Sequence, residues 1–465
     1  MDKEYLESGL LDGEALTSEG LSLLIEEKRF SRIKVLVEKM ASPDVEELFE
    51  ELPDKYHTVF FRLLSKEIAA EVFAIMDSDL QRRLIDSFTD SELSAVVSEL
   101  YIDDMVDIIE EMPAVVVKRI LRNTGKEDRE AINAILKYPK NSAGSLMTTE
   151  YVKFRAEMTV SEALSHIRRV AIDKETIYTC YVTDNNRHLI GIVTAKRLLI
   201  ADLDTPLSEI METNVISVNT RDDREEVALK FDKYGFIAVP VVDSENRLVG
   251  IVTVDDAIEV IMEESEEDFA KMAAITPSET PYLRTGVRAL FLARIPWLLI
   301  LMLSSTISSA ILTGFESLLP AVLVLFVPMI MGTGGNSGGQ SSVTVTRSIS
   351  LGEVEFSDIL RVFWKEVRVG VMCAAALGLV TFAKVMLIDG LLLSNSAVTL
   401  TVSLVVALSL SLTIIVAKII GATLPLVAKK IGLDPAVMAS PLITTLVDAI
   451  SLIVYFFVAS VILKV

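Results

Sequence analysis

Five long apolar stretches in the C-terminal two-fifths of the chain constrain its fold more than any other feature. A segment of about 20 mainly apolar residues is long enough to cross the hydrocarbon core of a bilayer as a helix. We predict spans over residues 289–312, 318 to beyond 331, 369–388, 391–428 and 436–463. The sequence therefore predicts an α-helical transmembrane domain of five spans within residues 283–465, in contact with a lipid bilayer.

Charge is divided unevenly between the two parts of the chain. Residues 283–465 hold 12 Lys and Arg against 8 Asp and Glu, whereas residues 1–282 hold 32 against 57. Nucleic-acid binding needs positive charge to displace counterions, so it is excluded as a function of the acidic part. The two cysteines and three histidines are too scattered for a zinc site. An acidic body suits hard divalent cations as partners.

The loops between the apolar stretches predict the orientation in the membrane. Lys and Arg residues precede the first span and lie between the second and third and between the fourth and fifth, whereas loops 314–317 and 389–396 have none. By the positive-inside rule, the N-terminus is cytoplasmic and the C-terminus lies outside. The opening MDKEYLESGL has no apolar signal sequence, which agrees. We expect a multi-pass protein of the plasma or inner membrane.

Asp448 lies midway along the fifth predicted span, where no other charge occurs from Ala436 to Leu463. A carboxylate at the centre of a bilayer costs about 3 kcal/mol unless it pairs with a charge or faces water. A structural salt bridge with Lys384 or Lys418 is one explanation. We favour the other, a cation site that lines a pore.

The second predicted span ends in a run of glycines and small polar residues, GTGGNSGGQSS at residues 332–342. We expect the helix to break here and expose backbone carbonyls along a water-filled cavity. The alternative is a helix-packing surface of small residues. Asn336 and Gln340 favour the break, because both bring polar atoms that need partners.

Residues 50–113 repeat with a period of 12, and the apolar positions that recur are Leu52, Leu64, Met76, Phe88, Leu100 and Met112. Twelve residues hold one short helix and a turn, so we predict an all-α superhelical domain over residues 1–140. Asp103 and Asp107 are four apart and share one helix face. Taken alone, this pair fits a solvated surface better than a binding site.

A second repeat follows, in which the segment from Leu189 to Thr194 matches the segment from Leu248 to Thr253 at an offset of 59. Each unit has the pattern of a strand, an amphipathic helix, two β-branched strands and a helix. We predict two packed α+β modules, over residues 141–202 and 203–256.

Eight acidic residues occur among the sixteen from Thr253 to Asp268, with apolar residues spaced between them. We predict an acidic linking helix over residues 257–282. Such a run normally marks a solvated face. Between a folded sensor and a membrane domain, however, a divalent cation would relieve its repulsion.

At this point the chain resembles the MgtE family of magnesium transporters over nearly its whole length. The repeated GIVT segments correspond to the CBS domains of that family. The other motifs that carry the resemblance are GFES, PMIMGTGGNSGGQS, GLDPAVMASPLITTLVD, EESEEDFAKM and the helical repeat.

The resemblance implies a homodimeric Mg²⁺ channel with a central pore and a cytosolic Mg²⁺ sensor. It implies that Asp448 and Asn336 lie on the ion path and that Ser440, Glu316 and Asp434 lie near the pore or its ends. It implies sensor acids at Glu71, Asp103, Asp107, Asp223, Glu225, Asp256, Glu259, Glu264, Glu267 and Asp268. CBS domains can also bind ATP through a Thr-x-x-Asp pattern, which only Thr253 and Asp256 of the second module keep.

We therefore expect an Mg²⁺ channel that closes when cytosolic Mg²⁺ neutralises its acidic regulator. Mg²⁺ sheds water reluctantly, so a carboxylate with amide and carbonyl oxygens suits a hydrated ion. A CBS-regulated anion channel is disfavoured by Asp448, and a membrane enzyme by the lack of a catalytic set beside it. A Mg²⁺/Na⁺ exchanger stays open, as does selectivity among Mg²⁺, Co²⁺, Mn²⁺ and Ca²⁺.

Overall fold

The structure is a computed structural model that describes residues 16–278, 282–283, 285–316, 320–438 and 440–464. Its contacts divide the chain into two compact units, one up to Ile261 and one from Met262 onward. The first unit contains short helices and two small sheets, and the second contains long apolar helices.

The first unit begins with short helices of eight to ten residues. They are α1 to α10, at Ser18–Glu26, Phe30–Val37, Ser42–Glu51, Asp54–Phe61, Lys66–Ile75, Ser78–Ser87, Asp90–Val97, Ile102–Glu111, Ala114–Asn123 and Lys126–Ile135. Side chains such as Ser65, Asp77 and Thr89 accept hydrogen bonds from N–H groups in the first turn of the helix that follows. The predicted all-α repeat is confirmed.

Two three-stranded α+β modules follow. The first contains α11 (Ala143–Leu146), β1 (Tyr151–Phe154), α12 (Val160–Val170), β2 (Thr176–Thr183), β3 (Leu189–Thr194), α13 (Ala195–Ile200) and α14 (Leu207–Ile210). The second contains β4 (Val218–Asn219), α15 (Arg224–Tyr234), β5 (Ala238–Val242) and β6 (Leu248–Thr253). In both sheets the first strand pairs parallel to the second, and the second pairs antiparallel to the third. The predicted tandem modules are confirmed.

The helix α16, Val254–Met272, follows β6 directly and contains the acidic run. Its first half buries Ala257 and Val260 in the apolar core of the first unit, whereas Glu259 is exposed. A helix that places apolar side chains on one face keeps its acids on the other. The predicted linking helix is present, but the predicted bounds of 257–282 are wrong, because the helix begins at Val254 and ends at Met272.

Five helical segments of the described chain are long and apolar enough to cross a membrane. Their helices are α17 (Val287–Glu316), α18 and α19 (Ala321–Val324 and Val327–Ser350), α20 (Ile359–Lys384), α21 (Leu400–Lys430) and α22 (Ser440–Leu463). The predicted number of spans is confirmed.

Two predicted boundaries are wrong. The third span extends over Phe356–Leu392 rather than starting at Val369, because the charged segment before Val369 is itself helical. The fourth begins at Leu400 rather than Leu391, because the chain from Val385 to Leu392 forms a π-helix that completes the third span. Hydropathy alone does not separate these helical ends from the apolar runs beside them.

The predicted helix break at residues 332–342 is also wrong, because α19 is continuous through the glycine run. The small residues allow close packing against α21 and α22. A methyl group added to Gly421 would lie 2.1 Å from the carbonyl oxygen of Gly338, and one added to Gly334 would lie 2.6 Å from Ser451 Oγ. The packing alternative is the correct one for this face.

Replacing Gly421 with alanine should destabilise the membrane domain by about 3 kcal/mol or more, because the added methyl group meets backbone rather than a movable side chain. Thermal unfolding in detergent measures the loss. Gly332→Ala is the matched control, because nothing lies within 4 Å of its added methyl group. Equal stability of the two variants would contradict this packing.

Candidate functional site

Asp448 lies on α22 against the glycine run of α19. It is half-buried, and its Oδ1 is enclosed without a hydrogen-bond partner among the described residues. A methyl group on Gly335 would lie 3.5 Å from this oxygen. Neither lysine considered above pairs with it: Lys384 bonds to Asp389 at 2.7 Å, and Lys418 Nζ donates to Ser341 Oγ at 3.3 Å. A carboxylate oxygen left without a donor inside the membrane domain is suited to a cation or its water.

A polar stripe follows a neighbouring face of α19, because Asn336 comes directly after Gly335 and successive residues of a helix are about 100° apart. Gly332, Asn336, Gln340 and Thr344 are spaced four residues apart and are exposed in the single chain. Residues at this spacing lie one above the other on a helix. Amide side chains in contact with lipid would lack hydrogen-bond partners, so the stripe requires water or another protein surface beside it.

Three further residues were predicted near the pore. Asp434 precedes α22, and its carboxylate accepts hydrogen bonds from the Ala436 N–H at 2.8 Å and from Lys271 Nζ at 2.7 Å. The side chains of Glu316 and Ser440 lie outside the described part of the structure.

The end of α16 carries an ion-pair network within the second unit. Lys271 contacts both Glu267 and Asp434. Burial alone would lower the pKa of Lys271, but the bonds to these two carboxylates raise it above its ordinary value. Asp268 accepts a hydrogen bond from Ser350 Oγ at 2.8 Å, and burial raises the pKa of Asp268. Glu264 is half-buried on the same helix.

In the first unit, acids of α8 face acids at the start of α16. Asp103 is 6% exposed. Burial first, and then the charge of Asp256, raise the pKa of Asp103 well above its ordinary value. Burial likewise raises the pKa of Asp256 to about 7, although Asp256 Oδ2 accepts a hydrogen bond from Thr253 Oγ1 at 2.6 Å.

Two more carboxylates of α8 belong to this cluster. Burial and the charge of Asp255 raise the pKa of Asp104 to about 6. Asp107 keeps solvent access on one side, but desolvation of the other side and the charges of Asp256 and Glu259 raise its pKa to about 8. The structure thus brings together four predicted sensor acids, Asp103, Asp107, Asp256 and Glu259.

Three predicted sensor residues make other contacts. Glu71 is exposed and accepts a hydrogen bond from Ser42 Oγ at 2.5 Å. Asp223 accepts from the Glu225 N–H at 2.9 Å and so caps α15. Glu225 is half-buried in the first turn of that helix.

Sequence reasoning missed Glu150 and Glu175, which lie with Asp103 so that one oxygen from each is within 4.8 Å of the others. Glu150 directly precedes β1 and Glu175 directly precedes β2, and Tyr151 pairs with Thr176 in the parallel ladder. The two glutamates therefore lie side by side at one edge of the sheet. The two glutamates are neighbours because of the register between β1 and β2, which cannot be read from the sequence.

Comparison with known families covers most of the chain. Residues 327–458 match the MgtE family model, described as a divalent cation transporter, and residues 22–141 match the MgtE intracellular N domain. Residues 143–204 and 207–263 each match the CBS domain.

Among curated proteins, the magnesium transporter MgtE of Thermus thermophilus is 37% identical over 440 residues, which cover 93% of this chain and 95% of the relative. The magnesium transporter MgtE of Bacillus subtilis is 30% identical over 444 residues, which cover 94% and 95%.

Among solved structures, the cytosolic domain of the Mg²⁺ channel MgtE in complex with ATP matches with a TM-score of 0.50 and 36% identity, over 52% of this chain and 99% of that one. The soluble part of a magnesium transporter matches with a TM-score of 0.50 and 29% identity, over 57% and 100%.

The five apolar helices and the acidic tandem modules, together with these matches, define a membrane transporter of divalent cations with an intracellular regulatory part. It is not an enzyme, as the sequence predicts. The chain belongs to the MgtE family.

The raised pKa values predict that stability depends on pH. The pKa values of Asp104, Asp107 and Asp256 are about 6 to 8 in the folded chain, whereas an ordinary carboxyl has a pKa near 4. At a pH between these values, the three carboxyls hold protons in the folded state that the unfolded chain releases. The free energy of unfolding in EDTA should therefore fall as pH rises from 5 to 8. We expect the Tm of the full chain in detergent to drop by several degrees, and Mg²⁺ to restore it most at pH 8.

Asp104→Asn should flatten this dependence, whereas Asp79→Asn, at an exposed position of α6, is the matched control. A Tm that rises from pH 5 to 8 without divalent cations would contradict the argument.

Proposed function

We propose that this chain is an Mg²⁺ channel of the plasma or inner membrane, closed by cytosolic Mg²⁺. The observation that carries the proposal is the unpartnered Oδ1 of Asp448 beside the continuous glycine helix α19. A carboxylate that finds no lysine within the described membrane domain attracts cations rather than anions.

The polar stripe on α19 supports a homodimeric pore. Asn336 and Gln340 are exposed in one chain, and a second copy facing this stripe would enclose an aqueous path lined by amide oxygens. Two Asp448 carboxylates across such an axis would favour divalent over monovalent ions, because the site is doubly negative. Mg²⁺ would pass largely hydrated, contacted through its waters. In this arrangement the N-terminus is cytoplasmic and the C-terminus outside.

Gating in this proposal is electrostatic. Without divalent cations, Asp103 and Asp107 of α8 repel Asp256 and Glu259 of α16, and the regulator loosens. Bridging Mg²⁺ neutralises these acids and fixes the regulator in the closed state. These carboxylates would bind several Mg²⁺ ions weakly. Closure that needs several ions depends steeply on Mg²⁺ in the millimolar range.

Lys271 acts as a built-in competitor at the membrane end of α16. Its ammonium group contacts Glu267 and Asp434, two acids that would otherwise hold a divalent cation. A single charge tethered by a flexible side chain binds them less strongly than a divalent ion does. Mg²⁺ must displace Lys271 to bridge these carboxylates, which raises the concentration needed for closure.

ATP is a further proposed ligand of the second module. The structurally similar MgtE cytosolic domain was solved with ATP, and Thr253 and Asp256 keep the Thr-x-x-Asp pattern. Asp256 also faces Asp103, so it cannot serve a ribose and the acid cluster at once. ATP and Mg²⁺ should therefore affect each other's binding. A Thr253→Val chain that binds ATP as tightly as wild type would refute this site.

Asp448→Asn should reduce Mg²⁺ flux into proteoliposomes at least tenfold, because it removes the charge that attracts the ion and keeps the side-chain volume. Asp448→Glu keeps the charge and should retain part of the flux. Undiminished flux in Asp448→Asn would mean that this carboxylate has only a structural role. An absence of Mg²⁺ flux in wild type would refute the channel.

Variants of α16 should change gating in opposite directions. Glu259→Gln and Glu267→Gln should keep flux open at millimolar Mg²⁺ on the cytosolic side, because fewer carboxylates remain to be bridged. Lys271→Met should close the channel at a several-fold lower Mg²⁺ concentration, because the competing ammonium group is gone. The measurement is flux against Mg²⁺ on the cytosolic side.

Lys153→Met, at an exposed position of β1, is the charge-matched control for Lys271→Met. Half-closing concentrations that are the same in all these variants would falsify electrostatic gating.

A further inference from the structure

Lys418 is a basic residue buried inside the membrane domain. It lies on α21 and is 5% exposed, and its Nζ donates a hydrogen bond to Ser341 Oγ of α19 at 3.3 Å. Within the described part of the chain, Lys418 forms no direct ion pair. A buried ammonium group needs a negative charge nearby, because the loss of its hydration is otherwise too costly.

Glu366 of α20 supplies a negative charge through Ser341. The Ser341 hydroxyl is buried, and it donates to Glu366 Oε2 at 2.6 Å while it accepts from Lys418. A serine hydroxyl can donate and accept at the same time. The ammonium and carboxylate groups are therefore two hydrogen bonds apart, and each of three helices contributes one side chain. We call these three side chains the Ser341 bridge.

Neighbouring hydrogen bonds fix the orientation of α19 at the Ser341 bridge. Ser342 Oγ donates to the carbonyl oxygen of Met438 at 3.2 Å, and Thr346 Oγ1 donates to that of Pro435 at 3.5 Å. Because both acceptors lie in the segment before α22, α19 cannot rotate about its axis without losing these bonds. A substitution in the Ser341 bridge should therefore leave its other side chains in place.

The Ser341 bridge lies near the proposed ion path but not on it. Ser341 directly follows Gln340 of the polar stripe and is turned away from it by about 100°. Gly335 packs beside Asp448. At 1.5 Å of rise per residue, Ser341 lies about 9 Å further along α19 than Gly335. A buried charge at this distance acts on an ion at Asp448, because buried charges are screened much less than surface charges.

We propose that Glu366 is the counter-charge of Lys418, and that the Ser341 bridge keeps the surroundings of the Asp448 cation site electrically neutral. Without Glu366, the ammonium group would repel a cation at Asp448, and this repulsion is twice as large for a divalent as for a monovalent ion. Neither residue contacts the ion in this proposal. The effect on transport rests on the channel function proposed above, whereas the charge pairing does not.

The test measures Mg²⁺ flux into proteoliposomes against the Mg²⁺ concentration on the outer side. Glu366→Gln should raise the half-saturating concentration by about tenfold, because the ammonium group is left without its counter-charge. The double variant Glu366→Gln/Lys418→Met should return to within about twofold of wild type, because it removes both charges. Glu353→Gln, an exposed acid before α20, is the matched control and should behave as wild type.

A purely structural role for these side chains predicts a different pattern. The double variant would then be at least as defective as either single variant, since it loses more of the native contacts. A double variant no better than Glu366→Gln, or a wild-type half-saturating concentration in Glu366→Gln, would overturn the effect on the ion site.

Thermal unfolding in detergent tests the charge pairing without transport. Glu366→Gln should lower the Tm by several degrees, and the added Lys418→Met should recover most of this loss. If Glu366→Gln does not fold, the double variant still should, and its failure to fold would overturn the pairing. Recovery of Tm in a chain whose wild type carries no Mg²⁺ would refute the channel and leave the charge pair intact.

Discussion

Repulsion between carboxylates that the fold holds close together is the constraint on which the regulatory part depends. Asp103 is almost fully buried, yet the group facing it, Asp256, carries the same charge. Burying charged groups without counter-ions costs far more free energy than apolar side chains at the same positions would contribute. The acids of the first unit therefore need bound protons or cations, and the stability of this unit depends on the pH and on the cation concentration of the solution.

The membrane part depends on close packing of its helices rather than on repulsion between charges. Its helices approach closely where side chains are absent, as at Gly334 and Gly335 of α19 against Ser451 and Thr444 of α22, and this packing fixes the position of α22 with Asp448. Dense packing on one face of α19 leaves the amides of Asn336 and Gln340 on a neighbouring face. One helix thus supplies both a rigid contact surface and a polar lining.

Much of this architecture could be predicted from the sequence, because periodicity and hydropathy act locally. The 12-residue repeat, the two related modules and the five apolar helices all followed from short-range patterns. The glycine run was misjudged, since glycines that break an isolated helix are stabilised in α19 by neighbouring helices that the sequence does not reveal. Glu150 and Glu175 were missed for the same reason: strand pairing brings them together, and 24 intervening residues separate them in the chain. Asp448 was found early because a lone charge in an apolar run needs no tertiary information to stand out.

The register of β1 and β2 has an evolutionary consequence. Tyr151 faces Thr176, so the glutamates before them are neighbours only while neither preceding loop changes length at its junction with the strand. A single-residue insertion at either junction would move one carboxylate to the opposite face of its strand or out of the group, although every acid would still be present in the sequence. Among related chains, the length of these two junctions should therefore be a better guide to the presence of the three-carboxylate group than the identity of its residues.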